Sequence, residues 1–521
     1  MITKVFKKRG FFSVLGTVTL LILTTPILAM AAAAPKGEVV IGYYSPLTTD
    51  MLDPATYGIT TFTMILSTIH DALVKGMPGE TFGKNLATSW KGSKDGMMYE
   101  FKLRKGVKFH NGDTVTAADV KFSFDRYKGQ SAALFKKKVR EVEVVDDYTV
   151  RFHFTSPWSD FLTFYGSQAS AAAYVIPKKY FEQVGEMGFF RNPVGAGPYK
   201  FVEFKPGERL VVEAFEGYWR KVPSVKRIII REITQEASRV AALKANETDY
   251  AIMISGSLLD DVYKDQRFKI FPCYAGNSFF MDFFDRRDPK SPFHDYRVRK
   301  AVSLAMDRKT ISDAVWHGLA KPMGNVIDAG FMYGLPAKPD PYDPEQARRL
   351  LKEAGYPPGS IKVDLNRYPS FMKATGEMVA GYLQAVGIDA NIVALEKAAF
   401  LQKWSSRQLK GLGTWITGVP GNAATRLETF VVPGGTYSSM PKGAEPEFEE
   451  LYEKQAVELD TEKRKEMLYK MQKMMIEGMW QVPLLEFPSC HAVGPRIKEP
   501  ALELIPLWNY IGPYDEIQLK P

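Results

Sequence analysis

Cysteine and histidine are scarce in this chain of 521 residues, which contains two cysteines and six scattered histidines. No zinc-ligand spacing occurs among them. The chain also lacks the HExxH, CxxC, P-loop, GxSxG and GxGxxG patterns. The familiar zinc proteases, P-loop nucleotide hydrolases, serine hydrolases and dinucleotide-dependent oxidoreductases are therefore disfavoured. We expect no catalytic residue, no metal site and no cofactor.

Basic residues are not concentrated in the way that nucleic acids require. The net charge is +9, but Lys4, Lys7, Lys8 and Arg9 contribute four of these charges within the first ten residues. The densest later run is Lys136–Lys138, which a solvated helix face explains. Nucleic-acid binders cluster many more lysines and arginines on one surface, so we expect no nucleic-acid partner.

Long apolar runs are absent except at the N-terminus, where a basic segment precedes an apolar core and a run of alanines. Ala29-Met30-Ala31 fits the A-x-A cleavage pattern, so residues 1–34 are predicted to be a secretory signal peptide. An uncleaved anchor is the alternative, because Phe11–Ala34 is long enough to span a bilayer. Pro26 and the alanines favour cleavage. No cysteine lies near the junction, so we expect a periplasmic or secreted protein without a lipid anchor.

Strands and helices are predicted to alternate in an α/β fold. EVVIGYYS indicates a first strand, and VKRIIIREI indicates a strand covered on both faces. The latter leads directly into a helix, QEASRVAALKANE. A later helix has Asp343 as its cap, Pro344 at its first position and Gly355 after its end. The last strands are expected near VPLLEF and around Ile505–Tyr510.

The segment FKLRKGVKFHNGDTVTAADVKFS combines a strand, a turn and a helix start. Thr116 is predicted to cap the helix, with Asp119 completing a capping box. His110 lies three residues before Asp113, which allows two interpretations. The pair is either a general base with a partner carboxylate or ordinary turn chemistry, and we favour the turn.

Four stretches together resemble one family. They are LATSWKGSKDGMMYEFKLRKGVKFHNGDTVTAADVKFSFDR (86–126), NPVGAGPYKFVEF (192–204), SPFHDYRVRKAVSLAMDRKTI (291–311) and YDPEQARRLLKEAGYPPG (342–359). In this order they resemble the extracytoplasmic solute-binding proteins of ABC importers, in the peptide/nickel/opine class. The resemblance spans nearly the whole chain after the signal peptide.

The resemblance implies a two-lobe periplasmic-binding-protein fold with a crossover-strand hinge. Lobe one would comprise residues 36–272 and 488–521, with an extra subdomain at about 86–190, and lobe two would comprise 274–487. Cys273 and Cys490 would then lie near the crossovers. Both a disulfide and two separate buried thiols are open possibilities for this pair.

Ligand-binding positions are carried over from the family to three places in this chain. The candidates are Tyr43, Tyr44, Ser45, Asp282, Trp415, Thr417, Arg426 and Tyr437. Peptide binders of the family place an aspartate soon after the tryptophan strand, where it pairs with the ligand's amine. Here no acid occurs between Trp415 and Glu428, which makes a ligand with a free amino terminus less expected. Arg426 instead favours a carboxylate or phosphate.

Structural alternatives exist for these residues. Arg426 could form a surface or interlobe ion pair, and Asp282 could be a hydrogen-bonded hinge residue. Trp415 could be plain core, and Tyr437 could belong to a surface loop. The sequence does not distinguish these alternatives from ligand contact.

The expected function is capture of a small solute, peptide-like or carboxylate-bearing, between the lobes and its delivery to a permease with ATPase subunits. The protein is expected to be monomeric and not an enzyme. Ligand sensing for a membrane receptor is one alternative. A secreted hydrolase with two catalytic carboxylates is another, although no constellation in the sequence favours it.

Overall fold

Two β-sheets form the framework of the protein in a computed structural model, which describes residues 34–56, 60–129, 131–166, 170–367, 373–417 and 421–521. Residues 1–33 of the predicted signal peptide and residues 418–420 lie outside the described residues. Residues Pro35–Pro521 form one compact unit. None of the described helices has the length and apolar character needed to span a bilayer.

Strands and helices alternate along most of this unit. The strands are β1 (Lys36–Tyr43), β2 (Val74–Met77), β3 (Glu80–Lys84), β4 (Ala87–Gly92), β5 (Met98–Leu103), β6 (Val139–Asp146), β7 (Thr149–Phe154), β8 (Tyr199–Lys205), β9 (Arg209–Ala214), β10 (Val225–Glu232), β11 (Tyr250–Ile254), β12 (Lys269–Cys273), β13 (Ser278–Phe283), β14 (Lys321–Pro322), β15 (Ile361–Arg367), β16 (Ile388–Ala394), β17 (Leu412–Thr417), β18 (Gln481–Glu486), β19 (Ser489–Val493), β20 (Ile497–Glu499) and β21 (Gln518–Leu519). The helices are α1 (Thr60–Ile69), α2 (Ala117–Asp125), α3 (Ala132–Lys138), α4 (Phe161–Tyr165), α5 (Lys178–Arg191), α6 (Glu236–Lys244), α7 (Ser257–Tyr263), α8 (Tyr296–Leu304), α9 (Arg308–Trp316), α10 (Pro344–Glu353), α11 (Lys373–Ala385), α12 (Lys397–Ser405), α13 (Ala423–Phe430), α14 (Pro446–Val457) and α15 (Thr461–Glu477).

Lobe one is the body built on a seven-stranded sheet with the strand order β12-β19-β11-β1-β10-β9-β8. The central strand β1 runs parallel to both of its neighbours, β10 and β11. Helix α6 joins these two neighbours, which confirms the predicted strand–helix unit. Alternate β1 residues Val39, Ile41 and Tyr43 are fully buried, so one face of the sheet carries the core of the lobe.

The second face of strand β10 is partly exposed to solvent. The prediction that both faces of this strand are covered is therefore wrong. Ile228 and Ile230 are buried. On the opposite face, Arg227 forms ion pairs with Glu38 at 2.8 Å and Glu213 at 3.2 Å. Ile229 is half-buried and lies on this second face, between Arg227 and Arg231. The three consecutive isoleucines therefore alternate between the two faces and do not show that both faces are covered.

Lobe two is the body built on a six-stranded sheet with the order β14-β18-β13-β17-β15-β16. The chain enters it through residues 274–277, between β12 and β13, and leaves it through residues 487–488, between β18 and β19. Helices α8–α11 pack on one face of this sheet, and α12–α15 pack on the other. These two passages are the covalent links between the sheets.

The predicted boundaries of helix α10 are confirmed. The Asp343 side chain accepts a hydrogen bond from the backbone N–H of Gln346, and Pro344 occupies the first position. Gly355 follows the end of the helix with φ of +88°, a conformation that glycine adopts without a steric penalty.

A subdomain (residues 87–191) is inserted in lobe one and has its own four-stranded sheet, β4-β5-β7-β6. Its core is aromatic, with fully buried Phe101, Phe152 and Phe161. The predicted capping box of Thr116 and Asp119 is present at the start of α2. The subdomain therefore has a sheet of its own, and its core continues into neighbouring segments of lobe one such as Leu73 and Val194.

His110 fastens the subdomain to the chain that precedes β8. Its Nε2 donates to the Gly197 carbonyl at 2.9 Å, and its Nδ1 accepts from the Gly195 N–H at 3.3 Å. Burial lowers the pKa of His110 to about 4, so the ring is neutral. His110 is a scaffold residue, as we expected.

Cys273 and Cys490 are both buried and free. In the β12–β19 pair, Cys490 faces Pro272 and Cys273 faces Ser489. The two cysteines are thus one position apart in register, and their side chains lie on opposite faces of the sheet. This geometry excludes the disulfide that the sequence left open.

The segment predicted as a strand around Ile505–Tyr510 is irregular. Leu507 has a positive φ of 55°, which interrupts any extended conformation. The apolar side chains that suggested a strand instead pack into the core of lobe one, as Ile505 and Trp508 do at 8% exposure.

Candidate ligand-binding cleft

One edge of the lobe-one sheet carries the carboxyl ends of the parallel strands β1, β10 and β11, where ligands of α/β sheets bind. Arg239 of α6 is buried beneath this edge. Its guanidinium donates at 2.8–2.9 Å to the carbonyl oxygens of Ile233, Thr234, Ile252 and Met253. Arg239 therefore links the loop that follows β10 to the C-terminal end of β11.

His491 of β19 fastens a further loop to this edge. Its Nδ1 accepts from the Met253 N–H at 3.3 Å, and its Nε2 donates to the Asn509 carbonyl at 2.8 Å. Burial lowers the pKa of His491 to about 4, so the neutral ring keeps this hydrogen-bond pattern at neutral pH. Tyr510, the next residue, is thereby held at the edge.

The three candidates at the C-terminal end of β1 and just after it differ in their positions. The Tyr43 side chain lies in the core of lobe one, where burial raises the pKa of its hydroxyl well above the ordinary value. Tyr44 is half-buried, its hydroxyl lies 2.9 Å from that of Tyr510, and the two rings stack at 6.4 Å. Ser45 is also half-buried. Tyr44 and Ser45 are thus the accessible members of this group.

Arg426 occupies the corresponding edge of lobe two. It belongs to α13, which follows β17, and is only 3% exposed. Its Nη2 donates to the Gly276 carbonyl at 3.0 Å, its Nη1 contacts Thr417 Oγ1, and its guanidinium lies 4.6 Å from the centre of the Phe331 ring. The structure therefore brings the candidates Thr417 and Arg426 together.

The guanidinium of Arg426 lacks a carboxylate partner among the residues that the structure describes, and its Nε makes no hydrogen bond there. Burial lowers the pKa of Arg426 to about 9, and the nearby Asp328 carboxylate partly opposes this shift. A buried cation without a paired anion is costly. This edge of lobe two therefore suits an anion.

Trp415 and Tyr437 belong to an aromatic cluster behind Arg426. Trp415 is 5% exposed, stacks on Phe400 at 5.3 Å and meets Trp404 edge-on at 4.1 Å. Tyr437 is half-buried and lies 4.9 Å from Trp404 and 5.6 Å from Trp415. The rings thus form a closely packed aromatic cluster on this face of the lobe-two sheet.

Asp282 lies apart from Arg426. On the face of the sheet that holds Trp415, the register pairs Ser278 with Thr417 and Asp282 with Gly413. Asp282 is thus four residues from the cleft edge, roughly 13 Å along the strand. Burial raises the pKa of its carboxyl group, which the amide of Gln481 contacts at 3.1 Å.

Sequence reasoning missed Gly276 and Phe331. Gly276 lies in the first passage between the lobes and has φ of +63°. A Cβ atom there would lie 1.9 Å from Cε2 of Phe331, so only glycine lets this ring approach and cover Arg426. No motif marks either residue, because their proximity depends on the tertiary fold.

Within the described ranges, no group of three His, Cys, Asp or Glu side chains is placed to hold a metal ion. The side chains at the two edges are mainly hydroxyl, aromatic and guanidinium groups, and the lobe-two edge also carries the carboxylates of Asp328 and Glu486, the latter paired with Lys321 at 3.4 Å. They can hydrogen-bond, stack on and neutralise a small molecule. The described edges present no nucleophile–base pair for bond cleavage.

Comparison with known proteins identifies the family. Residues 81–438 match the model of the bacterial extracellular solute-binding proteins, family 5. The chain is 31% identical over 385 residues to the glutathione-binding protein GsiB of Escherichia coli O1:K1 / APEC, covering 72% of each chain.

Solved structures show the same fold. The ABC transporter substrate-binding protein CtaP of Listeria monocytogenes superposes with a TM-score of 0.81 at 22% identity, covering 93% of this chain and 99% of CtaP. HbpA2 of Haemophilus parasuis superposes with a TM-score of 0.79 at 23% identity, covering 93% of this chain and all of HbpA2. These likenesses confirm the predicted two-lobe α/β fold.

The chain therefore belongs to the bacterial extracellular solute-binding proteins, family 5. It is the extracytoplasmic solute-binding component of an ABC importer, which takes up a small molecule and delivers it to a permease. It is a transport component and not an enzyme, as the sequence predicted.

Proposed function

We propose that the cleft captures a small solute that carries a carboxylate, such as a peptide-like compound, and that Arg426 binds this carboxylate. The observation that carries the proposal is the buried guanidinium at the lobe-two edge, which has no carboxylate partner in the described part of the chain. The similarity to a glutathione-binding protein supports the same ligand class, because glutathione is a peptide-like carboxylate.

The surroundings of Arg426 favour recognition of a planar anion. Gly276 and Thr417 hold two of its nitrogens and Phe331 covers its face, which leaves the Nε side without a protein partner. Charge-assisted hydrogen bonds to a carboxylate are stronger than neutral ones. A ligand carboxylate would therefore offset the cost of burying this cation.

The remaining contacts in the proposal come from both edges. Tyr44 and Ser45 supply hydroxyl groups from lobe one, and Trp415 and Tyr437 supply an apolar wall from lobe two. Asp282 is left out of the contact set because of its distance along β13. Tyr43 contributes by supporting Tyr44 from the core, where the two rings lie 5.3 Å apart.

Closure of two lobes would enclose the ligand. We infer that lobe one comprises residues 36–272 and 488–521, with the extra subdomain at about 86–190, and that lobe two comprises 274–487. The passages at 274–277 and 487–488 support these boundaries. Binding free energy would then drive closure about the two passages.

We also infer a monomeric periplasmic protein, since one chain supplies both edges of the cleft. The basic and apolar segment before Ala34 supports export with cleavage of the leader. The absence of cysteine from residues 1–34 supports a mature protein without a lipid anchor. Permease contacts would use the exposed surfaces of both lobes.

The first experiment is mass spectrometry of small molecules that co-purify with the protein, followed by calorimetry with glutathione and with its glycine-carboxylate ethyl ester. We expect glutathione to bind and the ester to bind more weakly. Arg426→Lys should weaken glutathione binding by about 2 kcal/mol, because a lysine cannot reproduce the fork of the guanidinium.

Arg308→Lys is the matched control. Arg308 is also buried in lobe two, but it donates to the Pro483 carbonyl at 2.9 Å and to further carbonyl groups. Its substitution should lower stability without changing affinity. Equal affinity of the Arg426→Lys and parent proteins for a verified carboxylate ligand would contradict the proposal.

A further inference from the structure

The subdomain of lobe one contacts lobe two directly through side chains, in addition to the two covalent passages. Asp160, at the start of α4, points its Oδ1 to Asn422 Nδ2 at 2.5 Å and its Oδ2 to Arg464 Nη2 at 2.5 Å. Asn422 and Arg464 belong to lobe two. One carboxylate of lobe one thus binds two side chains of lobe two at once.

All three residues are withdrawn from water. The side chains of Asp160 and Arg464 are 13% and 3% exposed, and Asn422 is 1% exposed. Hydrogen bonds between buried charged groups are strong when every partner is present and costly when one is missing. This contact therefore discriminates sharply between a closed and an open arrangement of the lobes.

Each partner is prepared for this contact within its own lobe. Asp160 occupies the cap position of α4 but makes no capping hydrogen bond with its side chain, so both oxygens are available. Gln455 Oε1 accepts from the Arg464 Nε at 3.1 Å and positions the guanidinium. Asp160 is already neutralised by Arg464, so it is not free to bind a ligand amine.

Asn422 connects this contact to the cleft. Its Oδ1 accepts from the Thr425 N–H at 3.2 Å and caps α13, the helix that carries Arg426. Its Nδ2 is left for Asp160. The subdomain therefore holds the N-terminus of the same helix whose next turn presents Arg426 to the cleft.

We propose that Asp160 is a positioning residue that locks the closed state by holding Asn422 and Arg464, and that it raises ligand affinity without touching the ligand. The ligand part of this inference rests on the proposed function, whereas the closure part does not. Removing the lock favours opening, so we expect it to speed ligand release.

A second contact between the subdomain and lobe two allows closure to be measured. Ser159 Oγ lies 3.3 Å from the Ala456 carbonyl oxygen. In a Ser159→Cys/Ala456→Cys protein without ligand, the rate of disulfide formation under mild oxidation measures the fraction of closed molecules. The native cysteines are at most 2% exposed and do not compete.

Asp160→Asn should slow this disulfide trapping by about tenfold, because breaking a buried charge pair is costly and the amide retains only part of the contact. Removing a negative charge beside the thiol introduced at position 159 would speed thiolate chemistry, so a slower rate can come only from less closure. Asn422→Ser should also slow trapping, since the serine hydroxyl still caps α13 but the variant lacks the amide nitrogen that donates to Asp160.

Asp125→Asn is the matched control in the same subdomain. Asp125 pairs with Lys121 at 2.8 Å on the surface, with a side chain 51% exposed, and its substitution should leave the trapping rate unchanged. Trapping rates of Asp160→Asn and Asn422→Ser within twofold of the parent would overturn the proposal.

Calorimetry with glutathione as the probe separates this inference from the proposed function. If Asp160→Asn slows trapping and weakens glutathione binding while Arg426→Lys leaves binding unchanged, the closure lock stands and the carboxylate assignment fails. If Arg426→Lys weakens binding while trapping is unaffected by Asp160→Asn, the assignment stands and the lock fails.

Discussion

Each edge of the cleft contains a buried arginine, Arg239 in lobe one and Arg426 in lobe two, and their surroundings differ. Arg239 donates four hydrogen bonds to backbone carbonyl groups. Arg426 donates to Gly276 and Thr417, and its Nε has no acceptor among the described residues. Burial lowers the pKa of both groups. Arg239 thus braces the lobe-one edge, whereas Arg426 leaves one N–H group of the lobe-two edge without an acceptor among the described residues.

The largest effect on stability is expected for Arg239, whose guanidinium donates four hydrogen bonds to backbone carbonyl groups. Arg239→Met should lower the free energy of unfolding by about 4 kcal/mol, because several buried carbonyl groups lose their donors. Urea titration followed by tryptophan fluorescence measures this change. Arg348→Met, at an exposed arginine of α10 whose side chain is 40% exposed, should change it by less than about 0.5 kcal/mol. A loss of under about 1 kcal/mol in Arg239→Met would show that the brace is dispensable.

Local sequence patterns predicted α6, which carries Arg239, but they predicted neither α13, which carries Arg426, nor the difference between the two arginines. Caps such as Asp343 and Thr116 were found because the partners lie within one helical turn. The contacts of Arg239 and Arg426 depend on segments that are distant in the sequence, such as Gly276 for Arg426. Arg426 was singled out through family resemblance and the chemistry of guanidinium, and Arg239 was not singled out at all.

The same reasoning applies to other positions that the sequence could not place. The β13–β17 register sets Asp282 beside Gly413, away from Arg426, and its contact with a ligand stays a prediction. The cysteines are close in the sheet, yet a register difference of one residue separates their side chains onto opposite faces. Register is set by long-range pairing, so neither result could be read from local patterns.

His491, at the lobe-one edge, should make the free energy of unfolding depend on pH, with an effect of intermediate size. The pKa of His491 is lowered by burial to about 4 in the folded protein, whereas the unfolded value is about 6.5. The unfolded state therefore binds more protons between these values, and stability falls as the pH decreases through this window. Between pH 7 and pH 5, His491 should cost the folded protein about 2 kcal/mol.

The comparison with His491→Gln isolates this effect, because His70 and His110 are also buried with pKa values lowered to about 4 and titrate equally in both proteins. The difference in unfolding free energy between parent and variant should change by about 2 kcal/mol between pH 7 and pH 5. A difference that does not depend on pH would mean that His491 is accessible to protons in the folded protein.

The smallest effect on stability is expected for Arg426, at the lobe-two edge of the cleft. Arg426→Met replaces a buried cation without a carboxylate partner by an apolar side chain of similar length, and such replacements are often neutral or stabilising. We expect the free energy of unfolding of the ligand-free protein to stay within about 1 kcal/mol of the parent or to rise. Urea titration of protein freed from co-purified ligand by partial unfolding and refolding measures this change. A loss of several kcal/mol would place Arg426 with Arg239 as a structural brace, and the two edges of the cleft would then be alike.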